Sequence, residues 1–387
     1  MSHLPPIRVV FAGGGTGGHV CPAVAVARSL ERVAPGSEFL FLGSGRAVER
    51  RILEPTGLRH EVVASAPGTN PLRFAWAAAR GLLRARALLR AFRPDVVCGL
   101  GGFASVPGAL AGATQGVPLA LFEPNATPGK ANAWLSRLAR EAYVAWPAVQ
   151  LACPLRETGV PLNAHAVRAE LTRGEAREAL GLPRDGRVVL VMGGSQGAKA
   201  INRWLEAALP NVDARGVSFI HLAGGDEAAR SLKVHYGRAG VTAAVLPFLT
   251  EMGLAYRAAD LAVVRGGAAT LAELLANGLP SRVVPLAGTA GDHQVVNART
   301  FAALGAGDLL AETALGRTEL AATLARARDE GALATCREAA ARAARPGAAE
   351  AVARRLVALA RGEATTPAET TPVTSFPTHT EQRRVAA

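Results

Sequence analysis

Apolar residues along this chain gather in short unbroken runs rather than in alternation. The first is Ile7-Arg8-Val9-Val10-Phe11-Ala12, and similar runs recur near 38–43, 60–65, 96–99, 118–123 and 141–146. A second series follows near 187–192, 218–223, 241–247, 261–265 and 281–285. Runs of this length, bounded by glycine and proline, read as strands buried on both faces. Helical stretches separate them, such as Pro22 to Leu30, which reads as a helix with proline in its first turn. Strands alternating with helices predict α/β domains with parallel, doubly wound sheets. Two such domains are expected, residues 1–160 and 161–345, with a proline-containing linker near 147–165. A last helix at 346–362 is expected to pack back on the first domain, and the Thr/Pro-rich residues 363–387 read as a disordered tail.

Each series opens a glycine-rich loop directly after its first strand: Gly13-Gly14-Gly15-Thr16-Gly17-Gly18-His19 in one, Gly193-Gly194-Ser195-Gln196-Gly197 in the other. A strand, a glycine loop and a helix N-terminus form a ready site for anions and sugars. Two such domains place that site in a cleft at the carboxyl ends of their strands. Gly13, Gly15 and Gly18 satisfy the spacing of a dinucleotide loop, but the second strand ends Phe41-Leu42-Gly43-Ser44-Gly45 with no acid for a ribose. NAD and FAD are therefore disfavoured. His19, at the lip of its loop, reads either as a catalytic group or as a helix-start histidine.

Further segments carry possible chemistry. The second glycine loop suits a diphosphate or is an ordinary turn. In Arg265-Gly266-Gly267-Ala268-Ala269-Thr270-Leu271-Ala272-Glu273, the acid falls two turns into a helix, where it binds ribose hydroxyls or faces solvent. Asp292-His293-Gln294 through Asn297 opens another helix and offers carboxylate and amide groups to a sugar, while Asp292 also suits an N-cap. Glu123-Pro124-Asn125 closes a first-half strand as a cleft element or a simple turn.

Charge and composition narrow the partners. The formal net charge of +12 favours an anionic partner: nucleotide, nucleic acid or membrane surface. Arg73 to Arg93 holds six arginines and no acid. At helical period Phe74, Ala78, Leu82, Ala85, Leu88, Leu89 and Phe92 share one apolar face, whereas Trp76 and Leu83 fall among Arg80, Arg84 and the other arginines. That pattern fits an interfacial membrane contact or a surface helix with two stray apolar residues. Gly81 weakens the expectation of a single helix. Cys21, Cys98, Cys153 and Cys336 are scattered, which suits a reducing compartment and supplies no metal site. The N-terminus lacks a secretion signal, and six glycines and two prolines argue against a membrane span at 96–122, so the protein is expected to be soluble or peripheral. Without D-x-D, H-E-x-x-H or P-loop lysine motifs, metal-independent chemistry without a cofactor is expected, with loop amides and helix dipoles stabilising a leaving diphosphate.

Taken together the motifs resemble those of the MurG family of UDP-N-acetylglucosamine transferases. The resemblance rests on Gly14-Gly15-Thr16-Gly17-Gly18-His19, Gly99-Leu100-Gly101-Gly102-Phe103-Ala104-Ser105, Glu123-Pro124-Asn125 with Gly129, and Met192 to Asn202. It continues through Arg265 to Glu273, Ala276-Asn277-Gly278-Leu279-Pro280 and Asp292 to Ala298, spanning about residues 7–300 in family order. The resemblance implies a GT-B fold of two Rossmann-like domains. It also implies inverting transfer of GlcNAc from UDP-GlcNAc to the C4 hydroxyl of MurNAc in undecaprenyl-linked lipid I, giving lipid II. By position, it makes His19 the general base and places Thr16, Gly17 and Gly18 on the acceptor and diphosphate side. It gives Asn125 and Gln294 to GlcNAc, Ser195 and Gln196 to the diphosphate, Leu249 to the uracil and Glu273 to the ribose. It implies a peripheral protein on the cytoplasmic face of the inner membrane, bound to anionic lipid through Phe74, Trp76, Arg80, Leu83 and Arg84, with other cell-wall synthesis proteins as partners and no nucleic acid.

Several positions depart from the family. Asn163 stands where an arginine is usual near the diphosphate, and Arg156 and Arg168 are the candidates to replace its charge. Phe122, Phe103 and Gly266 replace a usual His, Tyr and Ser. The alternatives are a related GT-B transferase or UDP-GlcNAc epimerase with another substrate, and a non-catalytic nucleotide-sugar-binding protein.

Overall fold

The computed structural model describes residues 3–63, 71–167, 170–194, 197–288 and 292–363, with side chains from residue 76 onward in the helix that opens at Pro71. The first half comprises β1 (Arg8–Ala12), α1 (Gly17–Val33), β2 (Glu38–Gly43), α2 (Ala47–Leu53), β3 (His60–Val62), α3 (Pro71–Phe92), β4 (Val96–Gly99), α4 (Ser105–Thr114), β5 (Leu119–Glu123), α5 (Lys130–Leu135), β6 (Glu141–Val144) and β7 (Leu155–Glu157). The second comprises α6 (Arg173–Ala179), β8 (Arg187–Met192), α7 (Lys199–Ala208), β9 (Val217–Leu222), α8 (Asp226–Arg238), β10 (Ala243–Leu246), α9 (Met252–Ala258), β11 (Leu261–Val264), α10 (Ala268–Asn277), β12 (Ser281–Val283), α11 (His293–Ala303), β13 (Gly307–Leu309), α12 (Arg317–Arg328), α13 (Glu330–Ala343) and α14 (Ala348–Ala360).

Two parallel sheets result, in the orders β3-β2-β1-β4-β5-β6-β7 and β10-β9-β8-β11-β12-β13. Their inner strands are buried on both faces, which is why they appear in sequence as unbroken apolar runs. In each sheet the chain winds outward from the first strand, then returns to that strand's other side. The switch points lie between β1 and β4 and between β8 and β11, where an open α/β sheet leaves a ligand crevice. The glycine-rich segments at 13–18, 99–102, 193–197 and 265–267 follow these four strands.

The structure differs from expectation in four places. Strands β7 and β13 are short, with too few apolar residues to form a run, and β7 lies inside the segment expected to be linker. Helix α1 begins five residues before Pro22, so Gly17, Gly18 and His19 form its first turn rather than a loop. Helix α3 is continuous across Gly81, where a Cβ would come within 2.4 Å of the Val63 carbonyl oxygen. Glycine therefore serves close packing there rather than a break. Strand β3 ends at Val62, short of residue 65.

Helix α14 packs against α1: Val352, Ala353, Leu356 and Val357 join Phe11, Val24 and Phe41 in one apolar cluster. Its Arg355 donates to the fully buried Glu141 carboxylate at 3.1 and 2.8 Å. A chain that has left the first domain is thus tied back to that domain's sheet. Among the described residues no helix is long and apolar enough to cross a membrane.

Candidate active site

The first glycine loop is held from behind by an acid. Glu49 of α2 is buried, and its carboxylate accepts from the Gly15, Ser44 and Gly45 amides at 2.5, 2.9 and 2.7 Å and from the Ser44 hydroxyl at 2.5 Å. The acid missing from the end of β2 is therefore present six residues later, but its oxygens are spent on the loops. A loop whose amide already serves a carboxylate is a poor diphosphate cradle.

His19 rises from this loop in the first turn of α1. Its Nδ1 lies 3.0 Å from the Thr16 hydroxyl. The loop after β4 closes over the ring, since a Cβ on Gly101 would sit 3.6 Å from His19 Nε2. Burial pushes the imidazole below its ordinary pKa; the Glu123 carboxylate and the Gly14 carbonyl oppose the shift and His293 adds to it. A neutral imidazole near working pH can accept a proton.

Glu123, at the end of β5, organises the opposite wall. It is buried and accepts from the Asn125 amide and side chain, each at 3.0 Å, from the Gly129 amide at 2.9 Å and from Asn132 Nδ2 at 3.0 Å. Asn125 is thereby fixed, and its Oδ1 accepts from Asn297 Nδ2 at 3.1 Å. Asn297, fully buried on α11, also accepts from the Ala126 amide at 2.8 Å and donates to the Gly266 carbonyl at 3.1 Å. One side chain thus joins the loop after β5 to the loop after β11. His293 adds a second link through Nδ1, 3.0 Å from the Thr127 carbonyl. Gly266 has a steric reason to differ from the family's serine, because a Cβ there would meet the Gln294 carbonyl oxygen at 2.3 Å.

The second glycine loop has a neutral backing. Ser195 and Gln196 lie outside the described residues. Behind the loop, Asn202 of α7 donates to the Ala223 carbonyl at 3.0 Å and accepts from His221 Nε2 at 3.1 Å, while the Tyr236 hydroxyl lies 3.1 Å from His221 Nδ1. Burial lowers His221 to about 3, so this network carries no charge at neutral pH. Helix α7 starts at Lys199 with no side-chain cap and no acid in its first turn, leaving its terminal amides for an anion.

Glu273 projects from α10, and Tyr256 of α9 donates its hydroxyl to Glu273 Oε2 at 2.5 Å. Burial raises the carboxyl to about 7 against the opposing Tyr256 hydrogen bond. The carboxylate in turn raises the Cys21 thiol of α1, already lifted by burial, to about 11. Gln294, second residue of α11, accepts from the Leu286 amide at 3.1 Å. Asp292 occupies the N-cap position without capping; its side chain accepts from the Gly288 amide at 3.0 Å. Leu249 is half-buried beyond β10. Asn163 donates to the Cys21 carbonyl at 3.1 Å, tying the chain between the sheets to α1. Arg156 cannot replace the lost charge, because it is turned to the buried Glu141 at 3.5 Å; Arg168 lies outside the described residues.

The helix α3 surface separates from its packed side as its period predicts. Ala85, Leu89 and Phe92 are buried, whereas Trp76 and Leu83 are 64% and 69% exposed. The Arg80 guanidinium lies 5.3 Å from the Trp76 ring centroid, and Arg84 pairs with Glu61 at 3.3 Å. The Phe74 side chain is outside the described residues. A cavity of about 550 Å³ sits away from His19, between the two chain crossings, lined by Trp146, Val160, Leu162, Leu275 and Leu304. Its lining also includes Glu157, Arg342 and Arg345 but holds none of the groups above, so we place the chemistry at the glycine loops. Among the described residues no cluster of His, Cys, Asp or Glu could hold a metal.

Glu49 and Tyr256 are site residues that no sequence motif marks, whereas His293 and Asn297 lie in the Asp292–Asn297 motif but serve as links to the loop after β5 rather than as sugar ligands. The hint for Glu49 is an acid in a first turn just after the β2 loop; Tyr256 carries no comparable signal.

Comparison with known proteins supplies the family. Residues 9–144 match the glycosyltransferase family 28 N-terminal domain and residues 188–353 its C-terminal domain. The UDP-N-acetylglucosamine--N-acetylmuramyl-(pentapeptide) pyrophosphoryl-undecaprenol N-acetylglucosamine transferase of Symbiobacterium thermophilum is 36% identical over 92% of this chain and 97% of its own length. The Halorhodospira halophila protein of the same name is 38% identical over 89% of this chain and 96% of its own. The crystal structure of Acinetobacter baumannii MurG superposes with a TM-score of 0.74 at 28% identity, covering 91% of this chain and 99% of that one. The glycosyltransferase SnogD from Streptomyces nogalater shares the fold, with a TM-score of 0.66 at 21% identity over 92% of this chain and 100% of its own. Two glycine-loop domains of the GT-B kind, matched over nearly their whole length, place the chain in the MurG family of UDP-GlcNAc glycosyltransferases.

Proposed function

We propose that the protein transfers GlcNAc from UDP-GlcNAc to the C4 hydroxyl of MurNAc in undecaprenyl-pyrophosphoryl-MurNAc-pentapeptide, lipid I, forming lipid II with inversion at the anomeric carbon. The observation that carries this reading is the pairing of His19 on α1 with an opposing wall that Asn297 stitches across the cleft. In the step, the C4 oxygen bonds to the anomeric carbon as the bond from that carbon to the diphosphate oxygen breaks. The hydroxyl proton passes to His19, and the electron pair leaves with UDP. The α7 amides, with Ser195 and Gln196, stabilise the leaving diphosphate. Glu273 holds the ribose, the backbone at Leu249 the uracil, and Gln294 and Asn125 the GlcNAc hydroxyls. Thr16, Gly17 and Gly18 face the acceptor. Asn163 acts on the site through α1 rather than as a charge on the diphosphate.

The test is conversion of a lipid I analogue and labelled UDP-GlcNAc to a lipid II analogue, with and without EDTA. Turnover in both is expected. Tight UDP-GlcNAc binding with no transfer would favour a non-catalytic binding protein, and transfer to other acceptors alone would favour a related transferase.

Acceptor chemistry also supports a membrane-facing surface. Trp76, Leu83, Arg80 and Arg84 present apolar and cationic groups together on α3, a combination suited to an anionic lipid surface on the cytoplasmic side. A Trp76→Ser, Leu83→Ser variant is expected to lose several-fold in co-sedimentation with anionic vesicles. Retention equal to wild type would remove this surface from the proposal.

A further inference from the structure

Glu273 carries a half-buried carboxylate of which only one oxygen has a protein partner among the described residues. That partner is the Tyr256 hydroxyl, 2.5 Å from Oε2, on a ring that is only 3% exposed. The two side chains come from different helices, α9 and α10, on either side of strand β11. Tyr256 packs in the apolar cluster with Leu271, Leu274 and Leu275 of α10, so its ring is fixed from the Glu273 side as well as its own. The remaining oxygen, Oε1, is free to accept a hydrogen bond. Ionisable groups facing the carboxyl are Tyr256 from α9 and the Cys21 thiol from α1.

We propose that Tyr256 is a positioning residue for donor recognition, fixing the plane of the Glu273 carboxylate so that its open oxygen meets the cis-diol of the nucleotide's ribose. The inference rests on the assignment of Glu273 to the ribose in the proposed function. A carboxylate with one oxygen anchored cannot rotate, and its acceptor direction is set before the ligand arrives. The phenol also favours the ionised form of a carboxyl that burial drives toward neutrality, and an ionised carboxyl accepts from both ribose hydroxyls. A protonated one would turn one oxygen into a donor. Tyr256 itself touches no substrate atom in this scheme.

The experiment is a double-mutant cycle of Tyr256→Phe and Glu273→Gln in the full-length protein. It is read by donor KM, kcat, the pH dependence of kcat/KM for UDP-GlcNAc, and competition by UDP against 2′-deoxy-UDP. Tyr256→Phe is expected to raise donor KM about tenfold, the scale of one hydrogen bond to a charged group, with a smaller change in kcat. The acid limb of kcat/KM should move to higher pH, and the preference for UDP over 2′-deoxy-UDP should shrink. In the Glu273→Gln background the Tyr256→Phe effect on KM should disappear. An unmoved acid limb, or an equal KM effect in both backgrounds, overturns the proposal, as does unchanged discrimination between the two nucleotides. Should Tyr256→Phe melt early, its competition by UDP against 2′-deoxy-UDP, repeated well below its Tm, decides by the same outcomes. If Glu273→Gln leaves nucleotide discrimination intact, the ribose assignment itself fails, an outcome distinct from failure of Tyr256 alone.

Discussion

The two glycine loops that open the two domains look equivalent in sequence but stand against opposite backings. Behind the first stands Glu49, buried and already bonded to the Gly15 amide. Behind the second stands the uncharged Asn202, His221 and Tyr236 network, beside a helix terminus with no cap and no acid. Negative charge beside a loop repels a diphosphate, whereas a neutral backing and open amides attract one. The difference teaches that a glycine loop alone does not define a phosphate site. What decides is the group the fold places behind it. In the proposed function the first loop is left with His19 and an incoming hydroxyl, and the second with the donor's leaving group.

Replacing residues on either side should break this division in different ways. The largest effect is expected from His19→Ala, with kcat down roughly 10²- to 10⁴-fold and donor KM nearly constant in steady-state assays. A loss confined to donor KM would move His19 out of the chemistry. Asn297→Ala strands the Ala126 amide, the Asn125 side chain and the Gly266 carbonyl, so kcat/KM should fall about 10- to 100-fold. Wild-type kinetics in that variant would show that the cross-cleft link is dispensable. Glu49→Gln removes the first loop's charge and retains part of its hydrogen bonding. Acceptor KM should change by about threefold to tenfold, with stability reduced by about 1–2 kcal/mol in chemical denaturation. A change in donor KM instead would blur the two loops.

The smallest effect concerns His221 and acid. Its folded pKa of about 3 lies below the ordinary histidine value, so below about 6.5 the unfolded chain takes up a proton that the folded chain refuses. Stability contributed by the neutral ring is full above 6.5 and declines as pH falls toward 3, by about 1.4 kcal/mol per pH unit. His221→Gln should show a shallower loss of Tm between pH 6.5 and 5.5. An identical slope would mean that the ring protonates without unfolding.

Much of the fold was legible because parallel strands buried on both faces must be continuous apolar runs, and glycine must follow where backbones crowd at the switch points. Strands β7 and β13 escaped because three residues at a sheet edge carry no period. Candidate site residues could be marked from sequence where a motif is local, as with His19, Asn125, Glu273 and Gln294. The site was illegible where partners are distant: Glu49 and Gly15 are 34 residues apart, and Asn297 and Ala126 are 171 apart. Gly266 departs from the family's usual serine in sequence, yet the Gln294 carbonyl leaves no room for a Cβ there. Asn163 looked like a missing charge, yet its amide holds the Cys21 carbonyl of the helix that carries His19.

Calorimetric titration of UDP into the wild type, His19→Ala and Gly197→Ala tests the division of labour most directly. Gly197 has a φ of +70°, and a Cβ there would meet the Ala223 carbonyl oxygen at 2.7 Å, so alanine must displace the second loop. With folding verified by Tm, Gly197→Ala should weaken UDP binding at least about tenfold, while His19→Ala stays within about twofold of wild type. Equal weakening by both variants, or weakening by His19→Ala alone, would contradict the assignment of the donor diphosphate to the second loop.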